Sequence, residues 1–252
     1  ILIYHMKLFF SLFIAWSLSV VAAAQSEDVK TLHQTAKTFM LSGDFDNAII
    51  VLGRALQKEP QNLELNKDIV MSYLFKREFV KALEGVETLV DRDDADVQTF
   101  QIAGNVYKSL EMVKDCEKMY KTALKKFPKS GPLYSEYGEL LWGVKDFSAI
   151  EQWETGIKTD PGYSGNYYNA AMFYFYAKDK VWSLIYGEIF VNMESLGERG
   201  AAMKQLLLQG YKEKLFAEAD LMKGEENNKS EFAKNFLRVM AKQSSLSNKG
   251  IT

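Results

Sequence analysis

The sequence predicts an all-α fold, a solenoid of antiparallel helix hairpins with about five repeats and a C-terminal capping hairpin. Three observations carry that expectation. Small and aromatic residues recur at spacings of 34 or 33 residues, three of the four prolines fall at one repeating position, and no polar low-complexity linker breaks the middle of the chain. A fixed period of this size marks supersecondary units that cannot bury an apolar face alone and gain stability by stacking.

Residues 1–24 read as an address rather than as structure. From Met6 onward, Lys7 supplies a positive n-region, Leu8 to Val21 an apolar run, and Ala22, Ala23 and Ala24 the small residues that signal peptidase needs before Gln25. The 14-residue apolar run contains three serines. It falls short of the roughly 20 residues that span a bilayer, so cleavage between Ala24 and Gln25 is expected rather than a retained anchor. No cysteine follows the run to take a lipid. The five residues before Met6 read as translated upstream sequence or an alternative start.

The repeat array is expected over residues 25–197, with copies near 29–62, 63–96, 97–130, 131–163 and 164–197. In the second helices, Ala48, Ala82, Cys116 and Ala149 stand at equivalent small positions, and Pro60, Pro128 and Pro161 close equivalent hairpins. Proline is excluded from a helix interior but tolerated just beyond its end. In the first helices the small position is Ala36, Val70, Gly104, Gly138 and Ala171. The residue three later is Phe39, Tyr73, Tyr107, Leu141 and Tyr174. Small residues let two helices of a hairpin approach, while large ones at helical spacing fill the space between hairpins. The fifth copy is degenerate, with Ser183 and Gly187 where Ala and an aromatic are expected.

Beyond residue 197 the period fades. Ala201 to Glu218 has helical spacing, Met222 to Ser230 reads as a loop, and Phe232 to Gln243 as a second helix with Phe232, Phe236 and Met240 in line. Together, residues 198–243 are expected to form a divergent capping hairpin. The tail 244–252 is Ser/Asn/Gly-rich and expected to fray. The final Gly-Ile-Thr carries no structural stop, as in a fragment of a longer protein.

Aromatic, small, tyrosine, then Ala, aromatic, Ala and Pro over 34 positions resembles the tetratricopeptide repeat (TPR). That resemblance implies a right-handed superhelix whose first helices line a concave groove for an extended peptide or a helix. Carried over residue by residue, the groove positions are Lys30, His33, Lys37 and Met40 in the first copy, then Lys67, Met71, Leu74 and Phe75 in the second. The third supplies Gln98, Gln101, Asn105 and Lys108, the fourth Ser135, Glu139 and Trp142, and the fifth Tyr168, Met172, Phe175 and Tyr176. The N-terminal end of this set is basic and polar, the C-terminal end aromatic and Met-bearing. Chaperone-docking members of the family use a carboxylate clamp, a Lys with an Asn four residues on. Here Lys67 is followed by Met71 and Asn105 is preceded by Gln101, so the clamp is not assembled.

Little else points to chemistry. A net charge of −2 with interspersed Lys and acidic residues gives no reason to expect nucleic acid. His33 has no second histidine in the mature chain with which to share a metal, and Cys116 is expected to be a buried small hydrophobe. The acidic run from Asp91 to Asp96 lacks the glycine and closing glutamate of a calcium loop and reads as helix capping. No catalytic site, metal or cofactor is expected. The expected role is a non-catalytic scaffold that binds a protein or peptide. Its setting is the periplasm or cell envelope of a Gram-negative bacterium, as in exported Bacteroidetes-type chains that it resembles. Membrane contact is expected only through the signal segment, if uncleaved. The alternatives are the regulatory or N-terminal part of a larger enzyme, or a membrane-anchored assembly factor.

Overall fold

The computed structural model describes residues 28–216, 220–223 and 230–243. The expected signal with its Ala24–Gln25 cleavage point, and the tail 244–252, lie outside the described residues. Among these, every regular element is helical: twelve α-helices and one π-helical turn. None is long and apolar enough to cross a membrane. The chain divides into two compact units, 1–85 and 86–252.

The first unit contains α1 (Val29–Leu41), α2 (Phe45–Lys58), α3 (Leu63–Phe75) and the start of α4 (Phe79–Val90), inside which the boundary falls. Its core joins Leu32 and Ala36 of α1 to Val51, Leu52 and Ala55 of α2 and Leu65 of α3. Asp44 and Asn62 start α2 and α3 by accepting hydrogen bonds from the backbone N–H of Asn47 and Leu65, which satisfies donors the helix itself leaves unpaired.

The second unit runs through α5 (Val97–Ser109), α6 (Val113–Lys126), α7 (Gly131–Gly143), α8 (Ala149–Thr159), α9 (Ser164–Tyr176), α10 (Trp182–Met193), α11 (Glu198–Gln209), the π-turn Gly210–Leu215 and α12 (Glu231–Ala241). Consecutive helices pack as antiparallel pairs, and the first helices of successive pairs, α5, α7 and α9, lie side by side. Asp96 caps α5 through a capping box with Thr99, while Asp94 pairs with Arg92 at 2.7 Å. Thus the acidic run serves helix initiation and a local ion pair.

The 34-residue period is written into the backbone. Gly43, Arg77, Glu111, Lys145 and Lys178 all have φ between 56° and 78°, at intervals of 34, 34, 34 and 33 residues. Each follows the C-cap of a first helix. At the first, Gly43 N–H donates to Met40 O and Asp44 N–H to Phe39 O; at the fourth, Lys145 N–H donates to Trp142 O and Asp146 N–H to Leu141 O. Arg77, Glu111 and Lys178 close in the same way. This is the Schellman ending, which reverses the chain within two residues and satisfies the last carbonyls. Four of the five positions are not glycine, so they hold a left-handed conformation that a β-carbon disfavours.

The second helices end equally regularly. Glu59, Phe127 and Asp160, each preceding a proline, have φ between −139° and −127° and ψ between 67° and 74°. A residue before proline is pushed out of the helical region, so α2, α6 and α8 stop where they do for a shared reason.

Close approach explains the small positions. A β-carbon on Gly104 would overlap the Tyr120 hydroxyl, and one on Gly138 would overlap the Trp153 indole. In the degenerate fifth pair, a β-carbon on Gly187 would lie 2.9 Å from Leu207 Cδ2 and 3.1 Å from Met203 Sδ. There α11 occupies the space that an aromatic would have filled. Ser183 is fully buried and its Oγ finds no partner.

The C-terminal segment departs from expectation in two ways. The helix expected over 201–218 ends at Gln209 and continues as a π-turn. Gly210 sits at that junction, close enough to α10 for an added β-carbon to lie 2.9 Å from Leu184 Cδ2. In α12 the buried residues are Ala233 and Leu237, which join the unit's core with Phe236 and Met240 packed on them. Phe232 instead lies exposed, stacked on Trp182 with ring centroids 5.4 Å apart.

Candidate functional site

The structure separates the residues expected to line a groove into packing and surface groups. In the first unit, Lys30 and Lys37 are exposed, and Met40 packs on the core. His33 is half-buried with Nε2 2.6 Å from Asp68 Oδ2. Asp68 was not among the expected residues, although it stands next to one, Lys67. Lys67 itself is a correction: it is 1% exposed and its ammonium lies 2.7 Å from Glu64 Oε1, so it holds α3 in place rather than offering charge. Met71 and Leu74 are half-buried, and Phe75 is exposed and stacked on Phe45 at 5.3 Å.

In the second unit the polar positions form two clusters, one joining α5, α6 and α7 at Glu136 and one joining α7 and α9 at Ser135 and Glu139. Gln101 Nε2 donates to Glu136 Oε1 at 2.7 Å, and the Tyr120 hydroxyl donates to Glu136 Oε2 at 2.7 Å. Lys108 Nζ lies 3.9 Å from the same carboxylate. Burial pushes the Glu136 carboxyl above its ordinary range, against the lowering effect of those donors, and burial likewise raises the Tyr120 phenol. Gln98 and Asn105 are exposed. Ser135 is a second correction. At 2% exposure it is an internal strut, with Oγ accepting from Asn169 Nδ2 at 3.1 Å. Cys116 is buried and its thiol pushed up to about 12 by desolvation, which leaves it inert as a nucleophile at neutral pH.

Next to the second cluster lies a cavity of about 240 Å³, lined by Glu139, Trp142 and Gly143 of α7, Trp153 of α8, and Tyr168, Asn169, Met172 and Tyr176 of α9. Trp142 is its wall. Its ring centroid stands 5.5 Å from Trp153, 5.0 Å from Phe173 and 6.2 Å from Tyr176. The Trp153 indole donates to Ser135 O at 3.1 Å, which fixes the floor. At the edge, Glu139 Oε1 accepts from Asn169 Nδ2 at 3.0 Å and from Ser135 Oγ at 3.3 Å. Tyr176 is 64% exposed. Five expected residues (Glu139, Trp142, Tyr168, Met172 and Tyr176) therefore meet at one cavity, whereas Phe175 packs on the unit's core.

Trp153, Asn169 and Glu136 escaped the sequence reading. Trp153 occupies a packing position of the repeat and lines the cavity as well. Asn169 and Glu136 each follow an expected residue by one position, Tyr168 and Ser135, so a wider strip of the first helix was the available signal. Among the described residues no group of three or more His, Cys, Asp or Glu is placed to hold a metal ion.

Stacked antiparallel helix pairs of this period, with Schellman turns and small crossing residues, define a tetratricopeptide-repeat fold. Solved structures agree. A thermophilic TPR protein of Thermus thermophilus superposes with a TM-score of 0.59 at 16% identity, covering 72% of this chain and 100% of that one. A tetratricopeptide repeat protein from Parabacteroides merdae gives 0.57 at 13% identity, covering 82% and 79%. At these identities the likeness is one of fold. No family model matches the chain. A stretch of 119 residues, 47% of this chain, is 26% identical to the BBSome complex member BBS4 of Bos taurus, and spans 23% of that protein's length.

Proposed function

We propose that the chain is a non-catalytic interaction scaffold whose second unit docks a segment of another protein in the cavity between α7 and α9. The observation that carries this reading is the placement of Trp142, Tyr168, Met172 and Tyr176 around open space. Aromatic side chains left partly solvated around a concavity supply large contact area at little entropic cost and dominate binding energy where they are desolvated. Resemblance to a member of a multiprotein complex agrees with such a role.

The setting we propose is the envelope or periplasm of a Gram-negative bacterium, on the strength of Lys7, the apolar run Leu8 to Val21 and the alanines before Gln25. An intact mass of the exported protein beginning at Gln25 supports release, and retention of Met6 supports an anchor.

The docking reading is tested by affinity capture with crosslinking, comparing the wild-type chain with Trp142→Ala and Tyr168→Ala variants of unchanged helicity. Loss of the same captured protein in both variants is expected. Undiminished capture by both overturns the reading.

A further inference from the structure

The lining of the cavity is chemically one-sided. Its rings are those of Trp142, Trp153, Tyr176 and Tyr168, the last already carrying the chain's own Arg199 guanidinium 5.4 Å from its centroid, and the charged lining residue is Glu139. Among the described residues no Lys or Arg lines it. Within the same set, both hydrogen bonds to Glu139 come from neutral donors and end on Oε1, so the carboxylate charge is uncompensated and Oε2 keeps its capacity to accept.

We infer that this cavity receives a cationic side chain, an arginine or lysine projecting from the docked partner segment. Aromatic faces attract a cation within about 6 Å of the ring centroid, tryptophan best of all, and the attraction grows when water is excluded. A carboxylate at the edge completes the charge balance and, toward a guanidinium, offers a directed hydrogen bond. Size agrees: about 240 Å³ is smaller than the roughly 300–1,000 Å³ of sites for whole small molecules, and suits one long side chain. The polarity is opposite to that of a carboxylate clamp, in which the protein supplies the cation.

This inference rests on the docking reading, and the experiment keeps the two apart. The probe is acetyl-Gly-Ser-Arg-Ser-Gly-amide, with matched peptides carrying lysine, citrulline or glutamate in place of arginine, titrated while the indole N–H resonances of Trp142 and Trp153 are followed. Saturable shifts are expected with arginine and lysine, roughly tenfold weaker binding with citrulline, and none with glutamate. In Glu139→Gln the preference for arginine over citrulline is expected to vanish while the fold and the indole positions are kept. Citrulline or glutamate binding as tightly as arginine overturns the cationic assignment and leaves docking standing. So does silence from every peptide when Trp142→Ala still loses its captured protein. Undiminished capture by Trp142→Ala and Tyr168→Ala overturns both.

Discussion

Tyr120 of α6 donates its hydroxyl to Glu136 of α7 at 2.7 Å, a contact between consecutive hairpins that the missing side chain of Gly104 makes possible. The Tyr120 ring is fully buried over that glycine. The repeat's small position thereby serves a polar network as well as helix packing.

Gly104→Ala is therefore expected to destabilise the chain, although alanine is the better helix former. The added methyl displaces the Tyr120 hydroxyl, and overpacking of this kind costs about 1–3 kcal/mol, more than the roughly 1 kcal/mol of helix propensity gained. Urea unfolding monitored by circular dichroism checks this. Stability equal to or above wild type contradicts it.

Glu136 gives a pH signature. Its carboxyl is raised above the ordinary 4.5 because it is buried, so the folded state favours the protonated form. The stabilisation linked to that preference is fully present below 4.5 and is lost as pH rises through the raised value. Glu136→Gln cannot ionise and is expected to be more stable than wild type at neutral pH, with the gap narrowing as pH falls through the raised value toward 4.5. Thermal melts of both proteins across that range read the gap, and a gap that widens toward low pH contradicts the assignment.

Ser183 carries a removable penalty. Its Oγ is buried without a partner, at the position where Ala48, Cys116 and Ala149 are also fully buried. A buried unsatisfied polar group costs about 1–3 kcal/mol, so Ser183→Ala is expected to raise stability by about 1 kcal/mol. A lowered melting temperature rules out this account of the site.

The turn residues offer an independent check on the period. Arg77 and Lys145 hold φ of 63° and 62°, where a β-carbon costs roughly 1–2 kcal/mol and glycine's extra unfolded freedom offsets about 0.5–1 kcal/mol. Arg77→Gly and Lys145→Gly are each expected to stabilise by up to about 1 kcal/mol in chemical denaturation, whereas Gly43→Val destabilises. Destabilisation by both glycine substitutions contradicts the strain assigned here.

Much of the fold was legible because packing repeats itself. Gly104, Gly138, Cys116 and Ala149 sit where the period puts them, and prolines at 60, 128 and 161 stop three helices in the same geometry. The turns were legible only at Gly43, since Arg77, Glu111, Lys145 and Lys178 adopt the same conformation without the residue type that announces it. The candidate site was less visible, because surface exposure depends on neighbours that a period does not name. Lys67 and Ser135 occupy expected groove positions, yet one is neutralised by Glu64 and the other is clamped by Asn169. At the end of α11 the one local signal was Gly210, which the apolar spacing on either side of it, Leu206, Leu207, Tyr211 and Leu215, overrode in the sequence reading.

Site-specific photo-crosslinking tests the docking claim most directly. A benzophenone side chain replaces Tyr176 at the cavity and, in a second protein, Lys125 on the exposed side of α6. The account expects crosslinks from position 176 to a single partner segment bearing a basic residue beside the crosslinked site, and little from position 125. Equal yields from the two positions, or crosslinks from 125 alone, contradict it.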